Sequence, residues 1–372
     1  EHHLISEVPV GAFLSGGVDS AITVTLMQQR RRALGLDSVK TFTIGFDEVS
    51  ELAEAREVAD RIGSQHHEVR VDMAEYLGVL ESIAWHFDEP VADPSAVALY
   101  FLARAAREQV TVVLSGEGAD ELFGGYRIYR EPLALRPVSR QPTWIRRSVL
   151  EPLARMPASY PGRNYLTRGL TPLDRRFIGN AYIFRPDQVR ALWRSELPEQ
   201  THVVPAQVLA ARDPRFSGLP EARRMQLIDL DYWMPGDILA KADRMTMAHS
   251  LELRVPYLDM HVAAVSASIP DAWKYRDGTT KWILRQAFAD ILPPATATRA
   301  KLGFPTPLRH WLARDPEWFR SRILDDPYIR EHMHAAPIER LFTDHTTGVA
   351  DTSRRIYVLL MLALWRRAFT MA

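Results

Sequence analysis

The sequence of 372 residues contains no cysteine. That excludes disulfides, thiolate-ligated zinc and a cysteine nucleophile within the chain. It fits a reducing compartment, and a cytoplasmic protein is expected. Excess charge of either sign is also absent, since 46 Lys and Arg balance 46 Asp and Glu. Nucleic acid as the main partner therefore has no electrostatic support. No apolar run approaches the ~20 residues of a membrane span. The longest, residues 358–365, ends at Arg366-Arg367 and reads as a buried C-terminal helix. No Gly-Lys-Ser/Thr occurs, so there is no Walker P-loop. Repeats and low-complexity segments are missing. An initiator Met is missing too. The opening Glu1-His2-His3-Leu4-Ile5 reads like the middle of something, so a piece of a longer chain is expected. What remains is a globular composition, 47% hydrophobic and 25% charged.

One stretch organises the rest: Leu14-Ser15-Gly16-Gly17-Val18-Asp19-Ser20. An apolar run ending at Phe13 leads into it, and Val18, Ile22 and Leu26 follow at helical spacing. A strand thus turns through glycines into a helix. That geometry aims unpaired N–H groups and the positive helix end at an anion. Ser15 and Ser20 add hydroxyl donors, and Gly16 and Gly17 permit close backbone approach. Asp19 would repel a phosphate unless a divalent cation lies between them.

Strands are expected near 8–14, 39–46, 66–71 and 110–114. Helices are expected at 18–32, 51–63, 74–86 and 95–108. This alternation predicts an α/β fold, a parallel sheet covered by helices on both faces. Ligands of such sheets sit beyond the carboxyl ends of the strands. Residues 1–126 form this core. Residues 127–225, rich in Pro and Arg, read as helical and irregular. Residues 226–372 read as a helical portion that completes the site.

A second Ser-Gly turn, Ser115-Gly116-Glu117-Gly118-Ala119-Asp120-Glu121, follows the fourth expected strand. Glu121 stands where a dinucleotide fingerprint needs Gly or Ala, which disfavours a nicotinamide enzyme. Three carboxylates in a glycine turn suit metal coordination and base chemistry. Asp19 and Asp120 would enter one cleft from different strands. In a third stretch, 240–259, charges alternate with apolar residues, which suits a salt-bridged belt. Lys281 opens an expected helix, where a cation opposes the dipole, so an anion is expected to compensate. Lys301, in Lys301-Leu302-Gly303-Phe304-Pro305, is a weaker phosphate candidate of the same kind.

Together these motifs resemble the synthetase domain of glutamine-hydrolysing asparagine synthetases, in the ATP pyrophosphatase (PP-loop) superfamily. The first motif alone would also fit GMP, NAD and argininosuccinate synthetases. The second narrows the resemblance to the branch that includes β-lactam synthetases and lasso-peptide cyclases. The resemblance implies an adenine nucleotide alpha hydrolase-like fold and a ligase forming carbon–nitrogen bonds. ATP and Mg²⁺ are the implied cofactors, and aspartate or another carboxylate, with ammonia, the implied substrates. Ser15, Gly16, Gly17, Asp19 and Ser20 match the pyrophosphate site, with Asp19 and Asp120 the metal-side acids. Phe13, Ile44, Ser115 and Gly116 match adenosine contacts. Glu117 matches the residue that orients or deprotonates the amine, and Lys281 the one that stabilises charge on the α-phosphate. The family's glutaminase, which begins with a catalytic cysteine, has no counterpart here, so a glutaminase domain or subunit is an implied partner. A homodimer is the implied assembly. An amide former acting on a peptide or secondary metabolite, and a catalytically silent nucleotide-binding module, are the alternative readings.

Overall fold

The computed structural model describes residues 1–156, 160–180, 182–196, 204–299 and 306–370. The five strands are β1 (Val10–Phe13), β2 (Lys40–Phe46), β3 (Gln65–Val71), β4 (Val112–Leu114) and β5 (Glu252–Arg254). All pairings are parallel, in the order β3-β2-β1-β4-β5. Between them run α1 (Val18–Ala33), α2 (Leu52–Ile62), α3 (Met73–Gly78), α4 (Leu80–Phe87) and α5 (Ser95–Arg107), with the short α6 (Ala119–Phe123) after β4.

Alternate strand residues face opposite cores, as the two-residue period of a strand requires. Phe42, Ile44 and Val113 pack with α4, α5 and the C-terminal helix residues Tyr357 and Leu360. Val10, Ala12, Val112 and Leu114 pack with Val18 and Ile22 of α1 and Val58 and Ile62 of α2. Both faces are therefore covered, as the strand–helix alternation predicts. A third cluster joins Tyr129, Leu173, Met225 and Ile228 from the middle of the chain to Tyr275.

Three details differ from the expectation. Residues 252–254, expected within a charged belt in a helical region, form β5, in register with β4 (Leu114 opposite Arg254). Three residues are too few to display a period. The helix expected at 74–86 is two helices that meet at Val79. Leu26 is 44% exposed although Val18 and Ile22 are buried. A spacing of four advances ~40° around the helix at each step, so Leu26 has rotated off the core face.

The C-terminal helix, Ser353–Thr370, has Leu359, Leu360, Met361, Ala363 and Leu364 buried against the first core, as its apolar run suggests. Among the described residues, no helix is long and apolar enough to cross a membrane.

Candidate active site

The sheet order reverses direction between β1 and β4, and the two Ser-Gly turns leave the carboxyl ends of these two strands. A cavity of about 430 Å³ opens there. This is the switch-point crevice where such sheets take their ligands.

The first turn is shaped by its own side chains. Ser15 N–H donates to Ser20 Oγ (3.1 Å), and Gly17 N–H donates to Ser15 Oγ (3.2 Å). The two hydroxyls lie 2.9 Å apart. Thr43 on β2 donates to Leu14 O (2.5 Å), tying the turn to the sheet. The second turn repeats the device, with Glu117 N–H donating to Ser115 Oγ (3.2 Å). The turns pack directly together: a Cβ on Gly116 would stand 3.0 Å from Asp19 Cβ and 3.2 Å from Ser20 N.

The short α6 carries Asp120. Its C-terminal end is gripped from behind. Leu122 O accepts from Lys274 Nζ (2.7 Å) and Ser266 Oγ (2.6 Å), and Glu121 O accepts from Gln226 Nε2 (2.7 Å). All three donors are buried. A cation at a helix C-terminus also complements the dipole. Gly124 ends α6 in the left-handed region (φ 74°), where a Cβ would also strike the Tyr275 ring at 2.3 Å.

Lys281 closes the group. It precedes the helix Trp282–Ala287 and has φ 54°. A non-glycine residue held there is a strained feature of the kind that collects at functional sites. Its Nζ lies 2.6 Å from Asp120 Oδ1 and is hydrogen-bonded to Asp19 Oδ2. Burial disfavours its charge, but the two carboxylates outweigh burial and raise its pKa above the ordinary lysine value. The compensating anions thus include two side chains of the protein.

Every expected site residue among those described lines this cavity: Phe13, Ser15, Gly16, Gly17, Asp19, Ser20, Ile44, Ser115, Gly116, Glu117, Asp120 and Lys281. Lys301 lies outside the described residues. Leu99 and Leu102 of α5 join Phe13 and Ile44 as apolar lining.

The far side of the cavity was not legible in the sequence. Lys241 is buried and donates to Asp93 Oδ2 (2.6 Å) and Ser95 Oγ (2.9 Å). Burial opposes its charge, and Asp93, Asp237 and Glu117 override it, so its pKa is raised. Glu117 Oε2 is buried with no hydrogen-bond partner among the described residues. Burial pushes the Glu117 carboxyl up to about 7. Lys241 partly opposes the shift, and Glu121, Asp93 and Asp237 reinforce it. Lys241 belongs to the stretch read as a salt-bridged belt. The pairing is real, and it also faces the cavity. Arg285 donates to Ala297 O (2.6 Å) and Arg299 O (2.9 Å), and Arg299 donates to Gly16 O (3.3 Å). This strap over the glycine turn, and Arg354 at the cavity rim, carried no local sequence signal.

The asparagine synthase family profile matches residues 1–367. The chain is 43% identical over 366 residues to asparagine synthetase [glutamine-hydrolyzing] 1 of Bacillus subtilis, covering 98% of this chain and 56% of that protein. It is 43% identical over 373 residues to a Mycobacterium bovis protein given the same enzyme name provisionally, covering 99% and 56%. It is 25% identical over 373 residues to the Bos taurus asparagine synthetase [glutamine-hydrolyzing], covering 94% and 51%. The chain thus spans about half the length of the curated relatives it matches. With a family profile across nearly all of its residues and both Ser-Gly turns meeting at one crevice, the chain belongs to the asparagine synthase family.

Proposed function

We propose that the chain forms an amide at the expense of ATP. The side-chain carboxylate of aspartate attacks the α-phosphorus, pyrophosphate leaves, and ammonia displaces AMP from the acyl-adenylate to give asparagine. The observation that carries this reading is the meeting of Asp19, Asp120 and Lys281 between two Ser-Gly turns at the switch point.

Phe13 and Ile44, with Ser115 and Gly116, take the adenosine. Ser15, Gly16, Gly17 and Ser20 cradle the pyrophosphate at the N-terminus of α1, where backbone donors and the dipole favour anions. The buried Lys281 ammonium neutralises charge that grows on the α-phosphate during adenylation. Glu117, with an acidity near neutral, takes the proton released as the amine adds.

A divalent cation fits this site. The carboxylates of Asp19 and Asp120 reach a single point, occupied by the Lys281 ammonium. Hard cations prefer such oxygen ligands. Among the described residues, no three His, Cys, Asp or Glu group together as a complete metal site, so phosphate oxygens would finish the shell. Mg²⁺ held by Asp19 and Asp120 would supply charge neutralisation for the leaving group.

Residues 1–126, 127–225 and 226–372 act as one synthetase unit in this reading. A glutaminase region or subunit would supply the ammonia, by analogy with relatives named as glutamine-hydrolysing. A cytoplasmic homodimer is the assembly proposed with it.

The test is product analysis with Mg²⁺, ATP, aspartate and an ammonium salt. AMP, pyrophosphate and asparagine are expected. ADP as the product would overturn the mechanism. Pyrophosphate release that requires another acid, with none for aspartate, would reassign the substrate.

A further inference from the structure

Five basic side chains line the cavity: Lys241, Lys281, Arg285, Arg299 and Arg354. Four of them have defined partners. Lys281 binds two aspartates, Lys241 binds Asp93, Arg285 donates to backbone carbonyls, and Arg299 meets Gly16 O and Glu54. Arg354 differs. It is exposed at the cavity, among the described residues it has no hydrogen-bond or ion-pair partner, and it acts electrostatically on Asp237. It also occupies the first turn of an 18-residue helix, Ser353–Thr370. A cation there opposes the positive end of the dipole, so the position favours an added anion.

Its place in the cavity identifies that anion. The phosphate end is defined by Ser15, Gly16 and Lys281. Arg354 belongs to the other end, with Trp233, whose Nε1 donates to Asp237 Oδ2 (2.7 Å), and with the Lys241–Asp93 pair. An acid whose activated carboxylate points at the α-phosphate extends its remaining groups toward this end.

We propose that Arg354 binds the second, unactivated carboxylate of the acid substrate, so that the site selects an amino dicarboxylate. This assignment rests on the adenylation reading above. A guanidinium presents paired donors that match a carboxylate, which a lysine reproduces only as a point charge.

Pyrophosphate release by the full chain, with ATP, Mg²⁺ and ammonium and aspartate varied, tests it in wild type, Arg354→Met and Arg354→Lys. Arg354→Met is expected to raise the aspartate KM by about 10- to 100-fold. The ATP KM should stay within about twofold, and Arg354→Lys should recover part of the loss. A purely structural role would move both KM values together and would show in the melting temperature. An unchanged aspartate KM in Arg354→Met, or equal changes for ATP and aspartate, would overturn the assignment. Wild-type release with aspartate combined with an unaffected variant removes Arg354 alone. Absence of wild-type release with every acid removes the adenylation reading and this assignment with it.

Discussion

Lys281 Nζ stands 2.6 Å from Asp120 Oδ1 and is also bound to Asp19, 262 residues earlier in the chain. Three separate elements, α1, α6 and the helix after Lys281, meet at one buried charge cluster. The two carboxylates share one directly bonded ammonium, and Arg285 lies in the field of both. Lys281→Ala is expected to reduce pyrophosphate release by about 10³-fold, the scale of a lost transition-state charge contact. ATP binding by calorimetry should remain measurable. Unchanged turnover would take Lys281 out of the chemistry.

Gly125 tests how tightly that cluster is packed. A Cβ at this position would lie 1.6 Å from Asp120 Oδ1 and 2.4 Å from Lys281 Cε. Gly125→Ala must therefore displace Asp120. A displacement near 1 Å at a catalytic centre costs about 10²-fold in rate. The expected outcome is a kcat lower by that order with the melting temperature little changed. A wild-type kcat would show that the carboxylate position is not critical.

The Glu117 carboxyl, raised to about 7 by burial, should appear in the pH profile of the amide-forming step. Below pH 7 it is protonated and cannot accept a proton, so the rate should rise through neutrality and then level. Glu117→Gln should abolish this limb along with most of the rate. Lys241 holds the Glu117 value down, so Lys241→Met should move the limb to higher pH. An identical limb in both variants would exclude Glu117 as the base. The stability sign is fixed by the same shift. A carboxyl whose folded pKa is raised favours the folded state at pH below the unfolded value near 4.5, and that contribution is lost as pH rises through 7. At pH 8, Glu117→Gln should therefore be at least as stable as wild type in urea titrations.

Lys274 is fully buried behind α6, and burial lowers its pKa to about 8. Its hydrogen bond to Leu122 O is shared with Ser266, 3.2 Å away. Lys274→Met removes the charge-assisted bond and is expected to cost about 1–3 kcal/mol in chemical denaturation. Because burial lowers the folded pKa to about 8, below the unfolded lysine value, folding disfavours the charged form, and the loss should grow as pH rises from 8 toward 10. A pH-independent difference would mean that the charge contributes nothing.

Much of this site is legible in single segments. A strand, Ser-Gly-Gly, an acid and then a helix specify an anion cradle wherever they occur, because local geometry alone aims the N–H groups of α1. The strand–helix alternation through Phe123 likewise dictates a covered parallel sheet. β5 escaped because three residues show no period. Arg354 escaped because its helix reads as core and nothing near it in sequence marks a ligand. Lys241 could be recognised only as a charge in need of a partner.

The sequence by itself determined the two turns, their place at strand ends and the identity of the carboxylates, since each follows from short-range backbone and side-chain chemistry. Only the tertiary structure decided that Lys281 bridges Asp19 and Asp120, that Lys241 and Asp93 form the opposite wall, and that Arg354 is left without a partner. Those facts depend on which distant segments share one low-dielectric cavity. Charge pairing and desolvation there are set by long-range packing.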